Sequence, residues 1–159
     1  MSWTNADGLT VLMHEEQGEV NTTGTTVHGI RNELVIEIPD ATEIPSSAAT
    51  PSPLDAFLPA GSYITEAYLI VDDAFDSGGS ATLTIGAYEQ DGSTIDADGI
   101  DAAIALTAID ADGDVVVNDG ALVGGVVTVG ANDAYIELNY GTAAFTAGSG
   151  KVVISYLVV

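Results

Sequence analysis

Alternation of apolar and polar residues is the clearest pattern in this 159-residue chain. In 62–73 (SYITEAYLIVDD), Ala67, Leu69 and Val71 share one face, and 80–89 (SATLTIGAYE) alternates in the same way, as strands with one buried face do. Further strand candidates are LTVLM (9–13), ELVIEI (33–38), GDVVVND (113–119), ALVGGVVTVG (121–130), AYIELNY (134–140) and KVVISYLVV (151–159). Turn signals such as DSGGS and NDG separate them. The pattern predicts an all-β protein, an antiparallel β-sandwich of jelly-roll type, whose doubly apolar last strand lies inside a sheet.

One segment departs from the two-residue period. Spacing of i, i+3, i+4, i+7 occurs at Ile100, Ala103, Ile104 and Thr107. This spacing predicts one short helix over about 99–108. The flanking DADG copies, 96–99 and 110–113, are then interpreted as its boundaries, with Asp98 as the N-cap.

The five prolines all lie between Pro39 and Pro59, and the chain is predicted to divide there. Residues 1–59 form an extended N-terminal arm with a strand pair and a Pro-rich connector, and residues 60–159 form the sandwich domain. The arm is too small to build its own core, so it should lie on the rest of the chain or on a neighbour. The bulky apolar residues of the arm and connector are equally expected to fold back over their own sandwich or to dock on a neighbour. These interface candidates are Trp3, Leu9, Val11, Phe57 and Leu58.

Charge limits the classes of partner. Only Arg31 and Lys151 oppose 24 acidic residues, which gives a net charge of -22. A chain without a basic patch is not expected to bind nucleic acid or an anionic membrane surface. Such a charge suits saline surroundings or a cationic partner. The start of the chain has no signal-peptide pattern and no apolar run is long enough to span a bilayer, so synthesis in a cytoplasm is expected.

The chemistry-bearing residues form no recognisable catalytic motif, and we expect no enzyme activity and no cofactor. Cysteine is absent, and neither DADG copy fits the ligand spacing of an EF-hand. A different calcium site at Asp110, Asp112 and Asp114, or at Asp72, Asp73 and Asp76, is the alternative to solvated turn aspartates, which we favour. Paired carboxylates of a glycosidase are the least supported hypothesis, because a single Trp offers little sugar-binding surface.

Two segments carry a resemblance to a protein family. FLPAGSYITEAYLIVDDAFDSGGSATLTIGAYEQDGSTIDADG (57–99) and AYIELNYGTAAFTAGSGKVVISYLVV (134–159) resemble small structural proteins of tailed bacteriophages, especially marine ones. The resemblance implies a jelly-roll capsid decoration or cement protein, usually a homotrimer, that clamps the major capsid protein from the outer capsid surface of the virion after synthesis in the host cytoplasm. The alternative function is a calcium-dependent adhesion or carbohydrate-binding jelly-roll module.

Overall fold

The structure is a computed structural model that describes residues 31–47, 56–124 and 127–158, together with the backbone of two short strands near the start of the chain. The chain divides into two compact units, Met1–Ile30 and Arg31–Val159. In the first unit, β1 (Ser2–Thr4) pairs antiparallel with β2 (Thr10–Leu12). The second unit starts earlier in the chain than the sandwich domain expected at residue 60, because the ELVIEI segment is one of its strands.

The described residues of the second unit form eight strands. They are β3 (Asn32–Ile38), β4 (Phe57–Leu58), β5 (Tyr63–Ser77), β6 (Thr82–Tyr88), β7 (Thr94–Ala105), β8 (Val115–Val117), β9 (Ala134–Gly141) and β10 (Phe145–Leu157). Sheet I has the order β3-β10-β5-β8 and sheet II the order β4-β9-β6-β7, with antiparallel pairing throughout. Two facing sheets with these strand orders form a jelly roll, so the predicted all-β sandwich is confirmed.

The core lies between the two sheets and follows the predicted alternation. Leu69 and Val71 of β5 are buried, as are Leu83 and Ile85 of β6 on the facing sheet. Burying such side chains contributes about 1.5 to 3 kcal/mol each. β10 lies between β3 and β5, which confirms that the apolar last strand is internal. It begins at Phe145, inside a segment that the sequence suggested was a turn.

The predicted helix over 99–108 is wrong. Strand β7 runs through Thr94–Ala105, and a short 3₁₀ turn, Leu106–Ala108, follows it. Asp101 and Ile104, three residues apart in β7, pair with Ile85 and Leu83, which are only two residues apart in β6. The extra residue of β7 is accommodated near Ala103, which has φ of +55°. Such a β-bulge shifts the alternation by one residue, so buried positions are spaced as on a helix.

The two DADG copies therefore do not bound a helix. The first lies in a bulged part of β7, which passes so close to β6 that a Cβ on Gly86 would lie 2.3 Å from the Ala97 carbonyl oxygen. The second is a turn before β8, in which Gly113 has φ of +85° and donates its N–H to the Val71 carbonyl. Glycine meets a different demand in each copy, close backbone approach in one and positive φ in the other.

The segment ALVGGVVTVG, predicted as a strand, is largely a connection in the part that the structure describes. Val123 makes a single bridge to Ile64, and Val129 donates its N–H to Ser62. The helical segments described are two three-residue 3₁₀ turns, neither of which has the length needed to cross a membrane.

Candidate interaction surface

The outer side of sheet I carries a row of apolar side chains that runs across all four strands. Val35 of β3 is the register partner of Val153 in β10, Val153 that of Tyr68 in β5, and Tyr68 that of Val117 in β8. Partners in neighbouring antiparallel strands project from the same face, so these side chains adjoin one another. They point away from the core because their neighbours in sequence, such as Leu69, point into it.

A second row on the same face lies two residues along each strand. It places Glu37, Lys151, Ile70 and Val115 side by side. The six apolar side chains of the two rows are here called the valine face. Its members are Val35, Tyr68, Ile70, Val115, Val117 and Val153.

Three members of the valine face are exposed to solvent, and Tyr68, Ile70 and Val153 between them are half-buried. Val117 is 67% exposed, Val115 57% and Val35 42%. Scattered exposed apolar residues are ordinary, whereas a contiguous apolar group with a polar margin is typical of contact surfaces. The chain keeps its valines here although serine or threonine would suit a solvated strand. The arrangement can bury apolar surface against a flat partner.

The margin of the valine face holds both basic residues of the chain. Arg31 pairs with Glu66, which also accepts a hydrogen bond from the Tyr68 hydroxyl at 3.2 Å. At the other side, Lys151 Nζ lies 3.5 Å from Asp72 Oδ1. Exposed ion pairs of this kind contribute little to stability. Their effect is to neutralise carboxylates locally, so the valine face has a less repulsive margin than the rest of an acidic chain.

The predicted interface residues fall in different places. Phe57 is 40% exposed at the edge of sheet II, where its ring centre is 5.5 Å from that of Tyr135. Leu58 is fully buried in the sandwich core, so this side chain folds back over its own domain. Trp3 and Val11 lie in β1 and β2, whose backbone alone is described, and Leu9 lies outside the described residues.

Sequence reasoning missed the valine face. The available signal was VVV at 115–117, in which two outward valines flank an inward one. Read alone, such a run indicates a strand buried on both faces.

The aspartates considered for calcium accept hydrogen bonds from nearby protein groups. Asp112 Oδ1 accepts the Ala74 N–H at 2.8 Å, and Asp114 Oδ2 accepts the Ala111 N–H at 3.1 Å. Asp73, in the other group, accepts the Ser149 hydroxyl at 2.7 Å. Within the described ranges, no three Asp, Glu or His side chains converge as metal ligands would. The carboxylates instead accept from backbone N–H and hydroxyl groups of β5, β10 and the turn before β8.

A buried polar pair connects the two sheets. Asn118, which follows β8, donates its backbone N–H to Ala67 of sheet I and its Nδ2 to Asp101 Oδ2 of sheet II at 3.0 Å. Burial raises the pKa of the Asp101 carboxyl, the Asn118 amide lowers it, and the charge of Asp119 raises it. The buried Asn118 Oδ1 has no hydrogen-bond partner among the described residues.

Comparison with solved structures identifies two chains with a similar fold. A chain of the cyanophage Pam1 capsid asymmetric unit superposes with a TM-score of 0.53 at 21% identity, covering 98% of both chains. A chain of the Ralstonia phage GP4 capsid superposes with a TM-score of 0.51 at 17% identity, covering 81% of this chain and 83% of the other. At these identities the similarity establishes a shared jelly-roll fold. No protein-family model and no curated protein matches the sequence.

Proposed function

We propose that the chain is a non-enzymatic structural protein of a phage virion, a decoration protein that binds the outer surface of the head and bridges major capsid subunits. The observation that carries the proposal is the valine face, a contiguous exposed apolar surface on a jelly roll whose fold is shared with chains of two phage capsids. A protein of this kind stabilises a shell mechanically. Expansion or rupture of the shell must first expose the apolar area that the contact buries.

The size of the valine face suits the centre of such a contact. A specific interface buries about 800 Å² on each partner, with an apolar centre and a polar margin. Six large side chains supply the centre, and the ion pairs of Arg31 and Lys151 supply part of the margin. Apolar area contributes about 25 cal/mol per Å² before the cost of association is subtracted.

The charge of the chain favours one orientation on the particle. With sheet I toward the shell, the partner meets the surface that holds both cations, where Arg31 and Lys151 offset two of the four carboxylates of Glu33, Glu37, Glu66 and Asp72. A net charge of -22 also disfavours contact with packaged nucleic acid, since it would repel phosphates. These points support a place on the outside of the capsid.

Self-association into a homotrimer belongs to the same proposal. It would use surfaces other than the valine face, with Phe57 at the edge of sheet II and Trp3, Leu9 and Val11 of the arm as contact residues. The first unit of the arm, Met1–Ile30, is too small to build its own core and gains most when a larger body covers it. Solution mass by analytical ultracentrifugation tests this part separately.

The location is tested on virions of the source phage. Mass spectrometry of gradient-purified particles should detect the chain, and cryo-microscopy should show a jelly roll outside the shell with sheet I facing it. Absence of the chain from purified particles, or density on the inner side, would contradict the proposal.

The surface is tested by adding the protein back to particles that lack it. The double variant Val115→Ser and Val117→Ser should fold normally, because both side chains are exposed, and should bind at least about tenfold more weakly, a loss of about 1.4 kcal/mol. Val127→Ser is the matched control, since Val127 is 46% exposed and belongs to a loop and not to the rows of the valine face. Equal binding by the double variant and the control would refute the assignment of the surface.

A further inference from the structure

Strand β3 forms an unusually regular edge of sheet I. It pairs on one side with β10 over seven consecutive positions, from Asn32 opposite Tyr156 to Ile38 opposite Gly150, without a register shift. On its other side no strand is described. Because an edge strand presents unpaired N–H and C=O groups, the direction of each backbone group on β3 decides what it can bind.

The direction of the backbone groups follows from the strands inside the sheet. In β5, the Val71 N–H donates to the Asp114 carbonyl, and the Ala67 carbonyl accepts from the Asn118 N–H. The backbone groups of Ala67 and Val71 therefore point toward the β8 side of β5. The N–H and C=O groups of Tyr68 point the other way, toward β10, because the backbone groups of successive residues in a strand alternate in direction.

The same alternation carries across β10 to β3. The backbone N–H and C=O groups of Val153, the partner of Tyr68, point toward β5. The backbone groups of its neighbours Val152 and Ile154 therefore point toward β3 and form hydrogen bonds with their partners there. Those partners are Ile36 and Leu34. The outward groups on β3 are consequently those of Glu33, Val35 and Glu37. Among the residues that the structure describes, they have no backbone hydrogen-bond partner.

The other edges of the sandwich are protected. β8 and β4 have three and two residues, too few for extended pairing. β7 is long, but its three register shifts and its aspartates at 96, 98 and 101 make it irregular and acidic. Bulges, short lengths and charges are the usual devices against unwanted strand addition. β3 has seven residues and no bulge.

The core side of β3 is also incompletely covered. Leu34 and Ile36 pack against the core but are only half-buried, whereas Val152 and Ile154 beside them on β10 are fully buried. The difference arises because no strand in the described part of the chain lies on the outer side of β3 to cover these side chains. An added strand would bury more of Leu34 and Ile36 while bonding Val35.

We propose that the edge of β3 binds an extended segment of another polypeptide by β-strand addition. The segment carries basic side chains next to Glu33 and Glu37 on the outer face and apolar side chains next to Leu34 and Ile36 on the inner face. Main-chain hydrogen bonds supply affinity in this mode and alternate side chains supply specificity. The acidity of the chain makes a segment from a second copy less favourable than a basic one. This inference goes beyond the proposed function, since it concerns the backbone edge of sheet I, which shares only Val35 with the valine face, and it requires only the isolated full-length chain.

The probe is a fluorescently labelled seven-residue peptide of valine with lysine at its second and sixth positions. This sequence is palindromic, so either strand direction places lysines beside Glu33 and Glu37. Two further peptides have the same sequence and charge. One is N-methylated at its odd-numbered residues and the other at its even-numbered residues. If the peptide adds as a strand, one N-methylated peptide should bind at least about tenfold more weakly by fluorescence anisotropy and the other should bind normally. Equal binding by all three would show that attraction to an acidic protein is the whole interaction and would overturn the proposal.

Val35→Pro tests the same edge from the protein side. The Val35 N–H points outward, so proline removes a donor that β10 does not use, and proline is tolerated at such positions of edge strands. We expect the peptide to bind this variant at least about tenfold more weakly. The control Val117→Ser, which alters the valine face, should bind the peptide normally, so a failure here is distinguishable from a failure of the proposed function. Normal peptide binding by a folded Val35→Pro variant contradicts strand addition.

Hydrogen exchange completes the test. In the free chain the amides of Glu33, Val35 and Glu37 should exchange rapidly, and saturating peptide should slow them at least about tenfold. Protection of these amides before peptide is added would mean that the edge is already covered by the chain itself, which would overturn the proposal.

Discussion

Replacing the buried Asp101 with asparagine should stabilise the protein at neutral pH. Asp101 is 7% exposed and Asn118 2% exposed, and one hydrogen bond joins them. The ionised carboxylate can only accept, so it leaves Asn118 Oδ1 without a donor. Asparagine keeps an acceptor for the Asn118 amide and adds an N–H₂ group, the kind of donor that Asn118 Oδ1 lacks. The Asp101→Asn variant can therefore form two complementary hydrogen bonds where the wild type forms one.

The expected gain is modest but measurable. A buried hydrogen bond contributes about 0.5 to 1.5 kcal/mol net, and the variant also removes a buried charge. We expect the free energy of unfolding to rise by about 1 kcal/mol near neutral pH. For a domain of this size that corresponds to an increase in Tm of about 2 to 4 °C.

The gain should depend on pH in a definite direction. Because burial raises the pKa of Asp101, the folded protein binds a proton at pH values where the unfolded protein does not. Protonation of Asp101 therefore stabilises the fold as pH falls through the raised pKa, and the contribution becomes constant below the ordinary value of 3.8. The advantage of Asp101→Asn should accordingly shrink as the pH is lowered toward about 4.

Urea unfolding followed by circular dichroism across this pH range measures both quantities. Asp119→Asn is the matched control, since it removes the same charge from the exposed residue next to Asn118. We expect this control to change stability by less than about 0.5 kcal/mol. A loss of stability in Asp101→Asn at neutral pH, or an advantage that does not change with pH, would refute the account of the pair.

Three further predictions concern packing, charge and calcium. Gly86→Ala should lower the free energy of unfolding by at least about 2 kcal/mol in the same urea assay, because its Cβ would lie 2.3 Å from the Ala97 carbonyl oxygen. The control Gly78→Ala has open space around the new Cβ and should change stability by less than about 0.5 kcal/mol. Raising NaCl from about 0.01 M to about 1 M shortens the Debye length from about 30 Å to about 3 Å and should raise the Tm of a chain with net charge -22; an unchanged Tm in calorimetry would contradict the role of repulsion. Millimolar calcium should give the same Tm as a chelator at matched ionic strength, because the loop carboxylates already accept protein donors, and a calcium-dependent rise would instead favour a metal site at 110–114.

The sequence by itself determined the sandwich and most of its strands. Two-residue alternation in 62–73 and 80–89 identified the core positions of β5 and β6, and the doubly apolar 151–159 identified an internal strand. These inferences succeeded because the side-chain period of a strand is fixed by local backbone geometry, and burial of one face follows from it directly.

Tertiary structure alone decided the features that break this period or join distant strands. The alternation of β7 shifts near Ala103, where three residues of β7 lie opposite two of β6, and Gly86 of β6 separately allows the Ala97 backbone to approach closely. Neither feature is visible in the local sequence. The valine face brings Val35, Val117 and Val153 together from strands far apart in the chain. A run of valines predicts a strand, but the face of that strand that stays exposed depends on the neighbours that the fold places beside the strand.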